Sequence, residues 1–200
     1  VRSRPAGQFL IVGALPWMAF SDAVSRGMYS LLEAGSLLQK NALPVVLFPV
    51  RAVLSSSIVH APIIFGLALA YAPSHGFGLA TLAMVPLLGL QLVLCMVLGY
   101  LLAVFAAALR DTTQIVTFAL SVGIFLSPVL FPMTMFPADW RWVLWLNPMT
   151  PFVAAYQAVL LDAHWPVLAS WIAPLVWIGG AALLLDLVLR RSREQLVDWL

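Results

Sequence analysis

Long apolar runs dominate the chain and set the first expectation for its fold. Residues 52–109 contain no Asp, Glu, Lys or Arg. A membrane-spanning helix needs about 20 mainly apolar residues, so this stretch is too long to be one span. A segment rich in Pro and Gly, 71–78, divides it. We therefore predict two spanning helices, at about 48–71 and 79–109, joined by a short loop.

The same length rule predicts three further spans, at about 8–24, 112–131 and 167–189. The spans 79–109 and 112–131 are separated only by Arg110-Asp111 and their neighbours, which predicts a tight helical hairpin. The visible chain therefore has five predicted membrane helices.

Residues 25–45 interrupt this apolar pattern. Arg26, Glu33 and Lys40 stand among leucines that fall partly at helical spacing, and Asn41 and Pro44 are expected to end the helix. The pattern predicts an amphipathic helix at the membrane surface or in the cytosol. It fits an ordinary loop helix that rests on lipid headgroups as well as it fits a functional element.

Residues 132–166 also depart from the spanning pattern, with several prolines and charged residues. Asn147-Pro148 is expected to end one short helix and Thr150-Pro151 to begin another. The apolar part of that second helix is about half a span. We predict a helical hairpin that dips into one face of the membrane. Three tryptophans of this stretch are expected at headgroup depth: Trp140, Trp142 and Trp145.

The amino-acid composition indicates the class of protein to which these segments belong. Of the 200 residues, 63% are hydrophobic and 9% are charged, whereas soluble domains are about 45–50% apolar and about 25% charged. The net charge of +2 gives no indication of nucleic-acid binding. The predicted fold is an all-α membrane protein, one transmembrane domain over 1–200.

Basic residues predict the orientation of the chain. A cytosolic C-terminus places seven of them inside: Arg26, Lys40, Arg51, Arg110, Arg190, Arg191 and Arg193. Only Arg2, Arg4 and Arg141 then lie outside. Five spans put the N-terminus outside, and a sixth upstream would return it to the cytosol. Because the chain starts at Val1 without methionine, we expect an N-terminal piece to be missing.

The chain lacks several kinds of chemistry. It contains no G-x-x-x-x-G-K-[ST], G-x-S-x-G or H-E-x-x-H motif, so we assign no catalytic residue and no bound cofactor. One cysteine and three dispersed histidines predict neither a disulfide framework nor a metal site. Asp22 and Arg26, like Asp186 and Arg190, have the i,i+4 spacing of an ion pair. His60 is expected to be a helix-packing histidine.

Uncharged polar residues remain as candidates. Gln114, Thr117 and Ser121 share one face of the predicted span 112–131. They are expected to join helices by hydrogen bonds or to line a polar path. A polar set within membrane helices, without a visible energy source, fits a transport subunit that another polypeptide drives.

Several ordered motifs carry a family resemblance. The stretch 109–131, with Arg110-Asp111 and Ser127-Pro128-Val129, followed by Asn147-Pro148 and Tyr156, resembles the ABC-2 type permeases that export polysaccharides such as O-antigen, capsule and teichoic acid. Residues 38–44 are similar to the cytosolic coupling segment of that family. Gln157 departs from the pattern, because the family often has arginine there, and the family's first membrane helix is absent.

The resemblance implies a homodimer paired with two ABC ATP-binding subunits, which would hold the ATP and Mg. A coupling segment would dock on those subunits through Glu33, Leu37, Leu38, Lys40 and Asn41. The hairpin at 132–166 would form an external gate, and the channel would lie between protomers. Aromatic rings would line the sugar path or gate, unless they face lipid: Phe118, Phe125, Trp140, Trp142 and Trp145.

The expected function is therefore the permease subunit of an ATP-driven exporter of a lipid-linked polysaccharide in the bacterial inner (plasma) membrane. An ABC-2 permease for drugs or small lipids is the first alternative. A membrane-embedded enzyme or assembly scaffold, which would work without an ATPase partner, is the second.

Overall fold

The computed structural model describes residues 6–40, 43–75 and 78–192, and within these ranges all regular structure is helical. The α-helices are α1 (Ala6–Lys40), α2 (Leu47–His75), α3 (Leu79–Leu82), α4 (Met84–Ala108), α5 (Asp111–Gly123), α6 (Arg141–Leu144), α7 (Thr150–Leu160) and α8 (Ala169–Ser192). Short 3-10 turns cover Ile124–Leu126, Met133–Met135 and Ala138–Trp140. The all-α membrane fold predicted from the sequence is confirmed.

Four of the described helices are long and apolar enough to cross a membrane: Gly7–Lys40, Leu47–Tyr71, Ala80–Ala108 and Ala169–Arg191. The remaining predicted span, 112–131, which is the fourth in chain order, is shorter than expected, because its helical part is Asp111–Leu126. The backbone becomes extended at Ser127, the residue before Pro128. Proline disfavours helical geometry in the residue that precedes it, which explains the early end.

The first helix corrects a predicted boundary. The expected span 8–24 and the separate amphipathic helix 25–45 are one continuous helix of 35 residues, Ala6–Lys40. At Arg26 and Glu33 the helix carries charged side chains at a cleft, but its backbone continues without a break. At a rise of about 1.5 Å per residue the helix is about 52 Å long, more than the roughly 30 Å hydrocarbon core.

Packing centres on α1 and α4, with α2 against both, α8 against α4, and α7 between α1 and α8. Helices α1 and α4 approach each other closely at Gly27 and Gly99. A Cβ placed on Gly27 would lie 2.8 Å from the Gly99 Cα. Small residues at such crossings allow membrane helices to approach closely, so this pair fixes how α1 lies on α4.

A small apolar cluster marks one end of the bundle. Leu31, Ala34 and Leu38 of α1 pack with Ala103 and Val104 of α4, and partly buried residues of α2 and α8 join them. The C-terminal ends of α1, α4 and α8 therefore meet the N-terminal end of α2. We call this the inner end, because the predicted cytosolic basic residues in the described ranges lie there or nearby.

The opposite end carries the hairpin at 132–166. It contains the 3-10 turns Met133–Met135 and Ala138–Trp140, then α6, a break at Asn147-Pro148, and α7. The predicted break and the predicted helix start at Thr150 are confirmed. Most of α7 is buried against the bundle, including Phe152 and Tyr156, which are fully buried.

Candidate functional site

A groove runs between α1 and α5. Its volume is about 380 Å³, and it is lined by Trp17, Met18, Ser21, Ser25, Thr117, Leu120, Ser121 and Ile124. The predicted polar face of 112–131 thus meets serines of α1, although Gln114 is not among the lining residues. Four hydroxyl-bearing side chains therefore border a groove whose lining is otherwise apolar.

The hydroxyls of the groove do not join the two helices. Thr117 Oγ1 donates to the Thr113 carbonyl at 2.7 Å, and Ser121 Oγ donates to the Thr117 carbonyl at 2.9 Å. Ser21 Oγ is buried and has no hydrogen-bond partner among the described residues. The hydroxyls that the groove exposes on α5 are therefore those of Thr117 and Ser121.

Helix α5 is loosely held, and none of its residues is buried. Phe118 and Phe125, predicted for the sugar path, are 69% and 60% exposed and do not line the groove within the single chain. They lie with Ile115 and Val122 on the open surface of α5 and its continuation. An apolar surface of this kind meets either lipid or another protein chain.

A second cleft lies at the inner end between α1 and α2. Its volume is about 430 Å³, and its lining contains Arg26, Ser30, Glu33, Ala34, Leu37, Phe48, Arg51, Ala52 and Ser55. Two residues of the predicted coupling segment, Glu33 and Leu37, are therefore at this cleft. Lys40 is exposed at the end of α1, whereas Leu38 is buried in the inner cluster. The fifth, Asn41, lies outside the described residues.

An ionic cluster between α1 and α2 was only half predicted. The expected pair forms, with Arg26 Nε 2.8 Å from Asp22 Oδ2. The same carboxylate accepts a hydrogen bond of 2.6 Å from Ser56 Oγ, and His60 Nδ1 lies 3.9 Å from it. His60 therefore has an acidic neighbour that sequence spacing did not indicate. The i,i+4 spacing of Ser56 and His60 places both on one face of α2. That shared face was the sequence feature that could have indicated a polar cluster.

The motif residues hold the hairpin to the rest of the chain. Asn147 Nδ2 donates to the Gly123 carbonyl at 2.7 Å, and its Oδ1 accepts from the Met149 N–H at 3.0 Å. Pro148 follows at the break. The Pro128 carbonyl accepts from Gln157 Nε2 at 2.7 Å, so Gln157 makes a neutral hydrogen bond where the family often has a charge.

The other motif pair forms the turn between α4 and α5. Helix α4 ends at Ala108 and α5 begins at Asp111, so the short turn predicted at Arg110-Asp111 is present. Asp111 stands in the first turn of α5, where a carboxylate is favoured by the helix dipole. Arg110 precedes it and is exposed.

The tryptophans of the hairpin differ in exposure. Trp140 and Trp142 are exposed, and Trp145 is half-buried. Arg141 Nε donates to the Phe136 carbonyl at 3.1 Å, which folds the first half of the hairpin onto itself. Exposed tryptophans at the end of a membrane bundle fit the interface between lipid and water.

Comparison with known proteins places this architecture in a family. The model of the ABC-2 type transporter family matches residues 2–161. The chain is 29% identical over 184 residues to the O-antigen export system permease protein RfbA of Myxococcus xanthus, across 86% of this chain and 70% of that protein. Two permease proteins of the same name from Klebsiella pneumoniae are 19% and 18% identical, across 77% of this chain and 60% of theirs. By the extent of the family match, the chain belongs to the ABC-2 type transporter family.

Proposed function

We propose that the chain is the permease subunit of an ATP-driven exporter that moves a lipid-linked polysaccharide, of the O-antigen, capsule or teichoic acid type, across the bacterial inner membrane. Family membership supports a transport subunit, and the relatives named as O-antigen export permeases support a glycan. The observation that carries the proposal is the family match together with these relatives, and the groove between α1 and α5, where Thr117 and Ser121 place hydroxyls beside apolar side chains, is the structural feature that fits it. Hydroxyls that bond only within their own helix remain able to accept a hydrogen bond from a sugar.

The proposed working unit is a homodimer with the channel between two copies. The surface of α5 that carries Phe118 and Phe125 is open in the single chain. Two copies that meet across this surface bring both α1–α5 grooves to one path. Exposed aromatic rings would then offer flat apolar faces to sugar C–H groups.

ATP hydrolysis is assigned to a partner, because this chain contains no P-loop motif. The inner cleft is the proposed contact for that partner. Glu33 and Arg51 both line it, and both side chains are exposed at its surface, so they offer charges to a charged partner surface. Under the positive-inside rule this end and the C-terminus are cytosolic.

The test combines association with export in one bacterial strain. The full-length protein is produced together with the ATPase encoded by an adjacent gene. The variants Glu33→Lys and Lys40→Glu and the double reversal are compared with the unaltered permease. We expect the ATPase to co-purify with the unaltered permease, and both co-purification and surface glycan to fall in the reversals. Asp139→Lys, a charge reversal on the exposed opposite end, is the matched control for association and is expected to retain co-purification.

Two results would contradict this proposal. Unchanged association and export in all the reversals would remove the coupling role. Normal glycan export in a strain without this permease, combined with sensitivity of that strain to a hydrophobic drug, would favour small-molecule efflux instead.

A further inference from the structure

A buried pair of polar side chains joins the outer hairpin to the two central helices. Tyr156 Oη donates to Gln91 Oε1 at 2.8 Å, and Gln91 Nε2 donates to the Pro16 carbonyl at 3.0 Å. Tyr156 belongs to α7, Gln91 to α4 and Pro16 to α1. One amide therefore fixes the mutual position of three helices, at a site that is 5% exposed at Gln91 and fully buried at Tyr156.

The hairpin region meets α1 closely beside this pair. A Cβ placed on Gly13 would lie 3.0 Å from Val129 Cα and 3.4 Å from Gln157 Nε2. A Cβ placed on Gly123 would lie 2.8 Å from the Trp17 ring. The end of α5, the residues just before the hairpin, and Gln157 of the hairpin therefore all lie directly against α1.

Pro16 makes this part of α1 a natural point of bending. Proline lacks the N–H that would donate to the Val12 carbonyl one turn earlier, and such positions kink helices. Gln91 attaches to α1 at Pro16 itself. Bending of α1 at this position therefore moves the acceptor that holds Gln91, and Gln91 in turn holds Tyr156.

We propose that Gln91 and Tyr156 form a latch that keeps the outer hairpin closed against α1 and that releases when α1 bends at Pro16. This rests on the proposed function in one respect, since the force that bends α1 is assigned to an ATPase at its inner end. The closed state satisfies the amide oxygen and one amide N–H in a buried site. The released state exposes these groups or leaves them without partners, so the hydrogen bonds favour closure.

Cys95 provides a native probe of the latch. It is the one cysteine of the chain, 2% exposed, one helical turn after Gln91 on α4, and in the same buried cluster as Tyr156. The permease is reconstituted in vesicles, and a charged, membrane-impermeant methanethiosulfonate reagent is added on the hairpin side. Any cysteine elsewhere in the expressed protein is replaced by serine in all variants.

Tyr156→Phe removes one hydroxyl and retains the ring, and Gln91→Met removes both amide bonds and retains the length. We expect each to raise the Cys95 modification rate by about three- to twentyfold, the range that measured interhelical hydrogen bonds in membranes imply. The double variant should match Gln91→Met, because both changes break the same link. Tyr100→Phe is the matched control, since this half-buried tyrosine of α4 lies in the inner cluster, and we expect no change there.

Unchanged rates in Tyr156→Phe and Gln91→Met would overturn the latch. An equal rise in Tyr100→Phe, or a double variant that multiplies the two single effects, would also overturn it, because both indicate general loosening. The permease is measured alone, so these results do not depend on glycan or ATPase. In a second arm with ATPase and ATP, absence of export with an intact latch would count against the proposed function only.

Discussion

The two ends of α1 are built from opposite kinds of interaction. At the inner end, Arg26 and Glu33 line an open cleft with Arg51 of α2. At the outer end, Gly13 of α1 lies close to Gln157 of the hairpin, and Gln91 of α4, which accepts from Tyr156 of the hairpin, donates a neutral hydrogen bond to α1. Open charged surfaces suit a partner that binds and leaves, whereas buried neutral bonds suit a contact with one defined closed position. A single continuous helix connects the two, which is why we assign the transmission of movement to α1.

The largest predicted effect concerns the crossing that holds both ends in place. Gly27→Val forces a side chain into the Gly99 backbone, which is 2.8 Å from the position of a Cβ. We expect a loss of about 3 kcal/mol in the free energy of unfolding, measured by SDS-induced unfolding in mixed micelles. Gly66→Val is the control, because nothing lies within 4 Å of a Cβ there. Equal stability of the two variants would contradict the close crossing.

The next effect is confined to the outer end. Asn147→Ala removes the hydrogen bonds to the Gly123 carbonyl and from the Met149 N–H. We expect it to lower the free energy of unfolding by about 2 kcal/mol. Limited proteolysis should then cut within the hairpin at 132–166 before any other described segment. Gln114→Ala, an exposed amide on α5, should leave the cleavage pattern unchanged. Resistance of the Asn147 variant would contradict a role for the Asn147 bonds in holding the hairpin.

A smaller effect distinguishes two ion pairs of the same spacing. Arg26–Asp22 and Arg190–Asp186 are both 2.8 Å long, but only Asp22 also binds Ser56, on a neighbouring helix. We expect Asp22→Ala to cost about 1 kcal/mol in the free energy of unfolding. Asp186→Ala should have no measurable effect, because exposed pairs contribute little. A reversed order would mean that the link from α1 to α2 is unimportant for stability.

The smallest effect on stability is expected on α5. Phe118→Ala and Phe125→Ala should change the free energy of unfolding of the single chain by less than about 0.5 kcal/mol, because both rings are exposed. The same variants should reduce export and the yield of cross-linked dimer in membranes. A large loss of stability with unchanged export would place these rings in structural packing instead of the channel.

The sequence predicted helices wherever an apolar run was long enough, and it placed the breaks at Arg110-Asp111 and Asn147-Pro148 correctly. It failed at 24–25, because a change from apolar to charged residues was taken as a change of backbone. Helical geometry continues through Arg26 as readily as through leucine. The early end of α5 was present in the sequence as Ser127-Pro128, but the length of the apolar run outweighed it.

The site was less predictable than the fold. The polar face of α5 could be recognised from Thr117 and Ser121, yet its partner serines on α1 could not, because no local pattern pairs two helices. Tyr156 was recognised as a motif residue, and Gln91 is an uncharged polar residue within the predicted span 79–109. Their hydrogen bond links residues 65 positions apart, and only the packing of α7 against α4 brings them together.

The most direct test of the account is transport in a defined system. The full-length permease and its ATPase are reconstituted in proteoliposomes, and lipid-linked glycan is followed from the ATP side to the opposite side. The account predicts transfer that requires ATP, fails with an ATPase that cannot hydrolyse it, and falls with Glu33→Lys at the inner cleft. Glycan transfer without the ATPase, or ATP hydrolysis by the intact complex without any glycan transfer, would contradict it.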